Sequence, residues 1–263
     1  MNHPFSFRPG TCDEEIFRGV VLGNEYRLPD RFETDDIILD VGTHIGTFSY
    51  ACVLRGSCNV HTFEAFHENF EAATRNLATL GTRVNLYNCA VWRSDRRDET
   101  LYFNSLEDVN NSAGHVLGKS GTTVKAVGLD RIISHVTNKG RKRIRMIKMD
   151  CEGSEYPILL TSQRLKYVDA IVGEYHNITD EHEPSHPFHH IPENARVVGY
   201  DQFNINVLVE RLRQEGFQVR VEQHPSIPRL AGWFFAERPH IVKARSVLRT
   251  IALKAKYALI PAS

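Results

Sequence analysis

Long apolar runs are missing from this chain of 263 residues, and none approaches the roughly 18 positions of a membrane-spanning helix. The start, Met1-Asn2-His3-Pro4, lacks a basic segment followed by an apolar stretch, so no secretory signal is expected there and the chain reads as soluble and cytoplasmic. A charge of one sign is missing too: 32 lysines and arginines face 32 aspartates and glutamates, which leaves no basic field of the kind that binds nucleic acid. Cysteine is scarce, with five residues and no C-x-x-C pair, so reduced packing thiols are expected rather than structural zinc or a disulfide framework. The dinucleotide fingerprint G-x-G-x-x-G is absent as well. Gly42 and Gly46 stand instead as G-x-x-x-G.

What is present is an alternation of apolar runs and amphipathic segments, at 41% hydrophobic residues enough for one substantial core. Ile37-Ile38-Leu39-Asp40-Val41 reads as a buried strand, followed by a glycine-punctuated turn and then a helix from Thr47 to Leu54. Further strands are expected at 59–64, 84–91, 144–150, 170–175, 217–223 and 232–237, with helices at 67–80, 129–136, from Ser154 onward, and 204–216. Ser154 is the expected cap of its helix. This order predicts an α/β fold: a doubly wound, Rossmann-like, mostly parallel seven-stranded sheet with an antiparallel edge strand. Residues 1–34 read as a lead-in that says little about function, 35–240 as the main domain, 92–125 as an insertion and 176–200 as a loop. Residues 241–263 read as a basic amphipathic C-terminal helix.

Two features point to a ligand. Glycines after a buried strand let the backbone turn tightly and a ligand approach closely, and the helix that follows aims free N–H groups at it. Glu64 ends the second strand, 24 positions after Asp40, where an acid can accept hydrogen bonds from both hydroxyls of a ribose or else cap the next helix.

Together these blocks resemble the FkbM family of class I S-adenosylmethionine-dependent methyltransferases. The resemblance runs from about residue 36 to 175. It rests on Leu39-Asp40-Val41-Gly42-Thr43-His44-Ile45-Gly46, on Thr62-Phe63-Glu64-Ala65, on Ile147-Lys148-Met149-Asp150-Cys151-Glu152-Gly153-Ser154-Glu155, and less specifically on Asn88-Cys89-Ala90-Val91. Ala65 stands where a proline is more usual in that family. The resemblance implies that Asp40, Gly42, His44 and Gly46 line the methionine end of S-adenosylmethionine, that Glu64 meets its ribose and that Asn88 lies near its adenine. It also implies methylation of a hydroxyl on a sugar, glycolipid or secondary metabolite.

An aliphatic hydroxyl is a poor nucleophile, so a base should take its proton during attack. Asp150, Glu152, Glu174 and His176 fall at the ends of two central strands, and Asp150, Glu152 and His176 are the chosen acid–base candidates. His176 has the best unperturbed pKa for the task. Glu152 and Glu155 can instead serve the helix N-terminus. A rival chemistry makes Asp150, Glu174 and His176 ligands of a divalent metal; no metal is the favoured expectation, because paired acids are missing after the fifth strand. His182, His186, His189 and His190 are expected in a lid over a small-molecule or glycan acceptor, not a zinc site. The basic segment is expected to dock on its own domain or a second copy, with contact to an anionic membrane surface as the alternative. A nicotinamide-dependent oxidoreductase and a non-catalytic interaction protein that keeps the fold remain the competing functions.

Overall fold

A computed structural model describes residues 5–96, 100–105, 114–119, 121–178, 191 and 193–242. The expected lid histidines and nearly all of the C-terminal basic segment lie outside these residues. Seven strands form the main sheet: β1 Ile37–Val41, β2 Asn59–Glu64, β3 Val84–Asn88, β4 Ile144–Met149, β5 Ala170–His176, β6 Gln218–Gln223 and β7 Ala231–Glu237. Their order is β6-β7-β5-β4-β1-β2-β3, and every pairing is parallel except the two made by β7. The doubly wound sheet is therefore as expected, with one difference: the antiparallel strand β7 sits inside the edge, between β5 and β6.

Six helices flank these strands: α1 Asp13–Phe17, α2 Thr47–Leu54, α3 His67–Leu77, α4 Leu129–Val136, α5 Glu155–Thr161 and α6 Ile205–Gln214. Alternation along β1 shows how they divide. Ile37, Leu39 and Val41 join one apolar cluster with Ile133 of α4, Tyr156 of α5 and Leu208 of α6. Ile38 joins the other, with Phe48 of α2, Ala73 of α3, and Phe5, Phe17, Tyr26 and Phe32 from the N-terminal segment. Both faces of the sheet are thus covered, which is why β1 is buried at every position. Asp40, two residues from Ile38, falls on the face shared with α2 and the N-terminal segment.

Local departures have physical causes. The strand expected at 84–91 breaks at Cys89: residues up to Asn88 pair with β2, while Ala90–Trp92 pairs with Ala126–Gly128 in a separate two-stranded sheet. Part of the expected insertion folds as Leu101–Ser105 against Thr122–Val124 and Gly114–His115. Asn204 caps α6 through its side chain, accepting from Val207 N–H at 3.1 Å. Ser154 does not cap α5. Its hydroxyl is buried without a hydrogen-bond partner among the described residues, and the Glu155 carboxylate closes the turn by accepting the Cys151 N–H at 2.9 Å.

Candidate active site

The carboxyl ends of β1, β2, β4 and β5 open on one cavity of about 740 Å³. At its β1 corner the chain turns through Gly42 with φ 73°, where a Cβ would lie 1.8 Å from the Asp150 carbonyl oxygen, so β1 and β4 can end this close together only with glycine there. Gly42 and Thr43 N–H both donate to Phe63 O, at 3.0 and 3.2 Å, which ties the turn to β2. Asp40 lies beneath the loop, fully buried, and does not line the cavity. Its Oδ2 accepts from Thr43 at 2.6 Å and Ser49 at 2.7 Å, so its observed work is to brace the turn from below. Gly46 opens α2 with φ 94° and packs against Leu77, again outside the lining.

Gly42, His44 and Glu64 do face the cavity. Glu64 is 6% exposed and accepts N–H bonds from His44 at 2.8 Å and Phe66 at 2.9 Å. Burial nevertheless pushes its carboxyl up to about 7, against the pull of those two N–H groups. His44, at φ 54°, has Nε2 at 3.0 Å from Arg8 Nη2 and 3.3 Å from Asp13. Burial, with Arg8 adding to it, lowers its pKa to about 4, so the ring is neutral and Arg8 donates to Nε2. The proton then sits on Nδ1, which is buried and has no partner among the described residues. Asn88 does not line the cavity; its amide donates to Glu64 O at 2.9 Å and Ala65 O at 3.4 Å, pinning the end of β2. The wall beyond Glu64 is apolar instead, made by Ala65, Cys89, Val91, Phe103 and Val116.

The other half of the cavity gathers charge. Asp150 accepts from Tyr26 OH at 3.0 Å and lies 3.8 Å from Lys148. Lys148 is almost fully buried, donates to Gly42 O at 2.5 Å and stands 3.6 Å from Asp40. Burial would lower its pKa, but Asp150 and Asp40 together hold it raised and the amine charged. His176 is not the free base expected from its unperturbed pKa. Its Nε2 lies 3.3 Å from Glu152 and its Nδ1 3.5 Å from Glu155. Although burial works the other way, those carboxylates hold the imidazolium well above the usual histidine range. Burial pushes Glu152 to about 7 and Glu174 to about 8, with Asp150 adding to both. The Glu174 side chain has no hydrogen bond or ion pair to any described residue. A metal ligand set is also present in outline, since Asp150, Glu174 and His176 bring ligand atoms within 4.8 Å of one another. To coordinate, His176 would have to give up the proton and the carboxylate contact of the ligating nitrogen, while its other N–H could keep its carboxylate.

The lead-in supplies what the sequence did not announce. Glu25 and Tyr26 line the charged half, and Arg8 and Asp13 fix the ring of His44. Burial raises the Glu25 carboxyl to about 7, with Asp150 adding to it. These contacts span up to 124 positions, as between Tyr26 and Asp150, and leave no local pattern. Lys148 could have been found: a lysine inside the apolar run Ile147-Lys148-Met149 of a central strand demands a buried partner.

Comparison with known proteins fits this geometry. The family profile described as the methyltransferase FkbM domain matches residues 40–230. Hexuronic acid methyltransferase AglP of Haloferax volcanii is 27% identical over 170 residues, covering 62% of this chain and 67% of that protein. Among solved structures, a precorrin-6y C5,15-methyltransferase from Geobacter metallireducens aligns over 89% of this chain and 94% of its own at 13% identity, with a TM-score of 0.42. A putative RNA methyltransferase from Pyrococcus horikoshii aligns over 83% and 81% at 13% identity, with a TM-score of 0.39. Likeness of that degree says nothing of substrate. No helix among the described residues is long and apolar enough to cross a membrane.

Proposed function

Because the chain belongs to the FkbM methyltransferase domain family, we propose that it moves a methyl group from S-adenosylmethionine to a hydroxyl oxygen of a sugar, glycolipid or secondary metabolite. The observation that carries this is one cavity joining a β1–α2 cofactor loop to a group of carboxyls at the neighbouring strand ends. The name of AglP, a hexuronic acid methyltransferase, favours a sugar among those acceptors.

The residues present fit the cofactor. The partnerless Nδ1–H of His44 and the first N–H groups of α2 suit the carboxylate of a methionine end. Glu64 faces the cavity with lone pairs left for ribose hydroxyls, and the apolar wall from Ala65 to Val116 suits a purine. When bound, the cofactor supplies an electrophilic methyl on a cationic sulfur. Asp150 and Glu152 place negative charge on that side of the cavity, complementing the sulfonium. For an acceptor hydroxyl held against that methyl, the Glu174 carboxylate would take the proton. Glu174 suits that role because its raised pKa makes it a stronger base than an ordinary carboxylate, while Asp150 and Glu152 are already engaged.

Calorimetry with S-adenosylhomocysteine and with NAD, followed by transfer of labelled methyl to fractionated metabolites, tests the reading. Saturable binding of the first, none of the second and a labelled product are expected. NAD binding without S-adenosylhomocysteine binding would replace it with the oxidoreductase reading, and cofactor binding without turnover would favour the non-catalytic one. Glu64→Ala should weaken S-adenosylhomocysteine by about 1.5–3 kcal/mol, roughly tenfold to a hundredfold in Kd, through loss of a charge-assisted acceptor. Because Glu64 also holds the His44 and Phe66 N–H groups, Glu64→Gln is the companion variant. An unchanged Kd in both would remove Glu64 from the cofactor site.

A further inference from the structure

The half of the cavity away from the cofactor loop has a composition of its own. Trp233 on β7 lines it beside His224, whose ring centroid lies 5.1 Å away, and Ile227 and Leu230 extend that wall. In the β5–β7 register Glu174 stands directly opposite Trp233. Directly opposed residues of an antiparallel pair share a face with Cβ atoms about 4.5–5.5 Å apart, so indole and carboxyl form one surface. Glu25 reaches the same space from the N-terminal segment. An aromatic face beside carboxyl groups suits a ring with C–H bonds on its flat side and hydroxyls at its edge: the negative π face meets the C–H groups, and the carboxyls bind the hydroxyls.

The charges narrow the class. Four carboxyls, Glu25, Asp150, Glu152 and Glu174, line this half. Among the described residues the cations near them are already committed: Lys148 to Gly42 O, Asp40 and Asp150, and His176 to Glu152 and Glu155. Arg18 also lines the cavity, but its side chain is exposed and paired with Glu14 at 2.8 Å. The burial and mutual repulsion that raise Glu25 and Glu174 act equally on an incoming carboxylate. A uronate would therefore be rejected, in contrast to the acceptor in the name of the relative AglP.

We propose that this half of the cavity seats a sugar ring bearing no negative charge, stacked on Trp233 with hydroxyls held by Glu174 and Glu25. This inference rests on the methyltransferase reading and names its acceptor class. An amino group on the ring is compatible, since the carboxyls accept from ammonium as readily as from hydroxyl.

Saturation-transfer difference NMR on the full chain loaded with S-adenosylhomocysteine tests it, using the methyl glycosides of glucose, glucosamine and glucuronic acid as probes. Ring-proton signals are expected from the first two, with the glucuronide at least about tenfold weaker, the order of one like-charge contact in a partly buried site. Trp233→Ala should abolish the sugar signals while S-adenosylhomocysteine still binds, and Trp233→Phe should restore part of them. Glu25→Gln combined with Glu174→Gln should bring the glucuronide level with the glucoside. Glucuronide binding as tight as glucoside in the unaltered protein, or no sugar binding at all, would overturn the inference and leave the methyltransferase reading standing. That comparison needs no variant to fold. Failure to bind S-adenosylhomocysteine would overturn the methyltransferase reading, and the acceptor class with it.

Discussion

Glu174→Gln is expected to lower turnover by about 10²–10⁴-fold, the usual contribution of a general base, while the Kd for S-adenosylhomocysteine stays unchanged. The separation follows from timing, because a base acts on the transition state and does not hold the cofactor. The pH profile carries the same assignment. Only the ionised carboxylate accepts a proton, and the Glu174 carboxyl is raised to about 8, so turnover of the unaltered protein should rise as pH increases through about 8 and then level off. A free histidine base would place that rise near 6.5. In Glu174→Gln the step near 8 should be missing. A step near 6.5 that disappears in His176→Ala would return the role to His176. Activity abolished by chelator and restored by Mg²⁺ would instead make Asp150, Glu174 and His176 a cation site.

The second large effect is on stability. Lys148→Met is expected to destabilise the protein by about 3–5 kcal/mol, the usual cost of breaking a buried pair by removing one partner. Asp40 would keep its hydroxyl donors at Oδ2 but lose the ammonium near Oδ1, which has no hydrogen bond of its own among the described residues. Urea unfolding in the absence of cofactor measures this. Asp40→Asn in the same chain should recover much of the loss, because the amide oxygen can still accept from Thr43 and Ser49 and no buried charge is left over. A Lys148→Met chain within about 1 kcal/mol of the unaltered protein would show that solvent reaches Asp40 after all.

The readable parts of this molecule were those whose physics is local. The apolar run of β1, the glycines that follow it and the acid that ends β2 each announce themselves within a few residues, and the structure puts Gly42, His44 and Glu64 on the cavity. Asp40 and Asn88 were visible as residues but not in their roles. Whether a side chain faces a ligand or braces the loop beneath it depends on which sheet face it occupies and how deep it lies, and sequence spacing does not carry depth. The break between Asn88 and Ala90 was hidden for another reason. Val84 to Val91 suits a strand throughout, and only the competing partner Ala126–Gly128 diverts its second half. His176 was misjudged because an unperturbed pKa says nothing of Glu152 and Glu155 closing on both ring nitrogens.

The family profile covers residues 40–230, yet Glu25 and Tyr26 precede that stretch and Trp233 follows it. A chain trimmed to the matched residues would lose β1 up to Leu39 and all of β7, leaving β6 without its neighbour and Phe48 without the cover of Phe32 and Tyr26. The boundaries of the matched stretch therefore fall inside the packed sheet, and a fragment cut to them would bare apolar surface that the whole chain keeps covered.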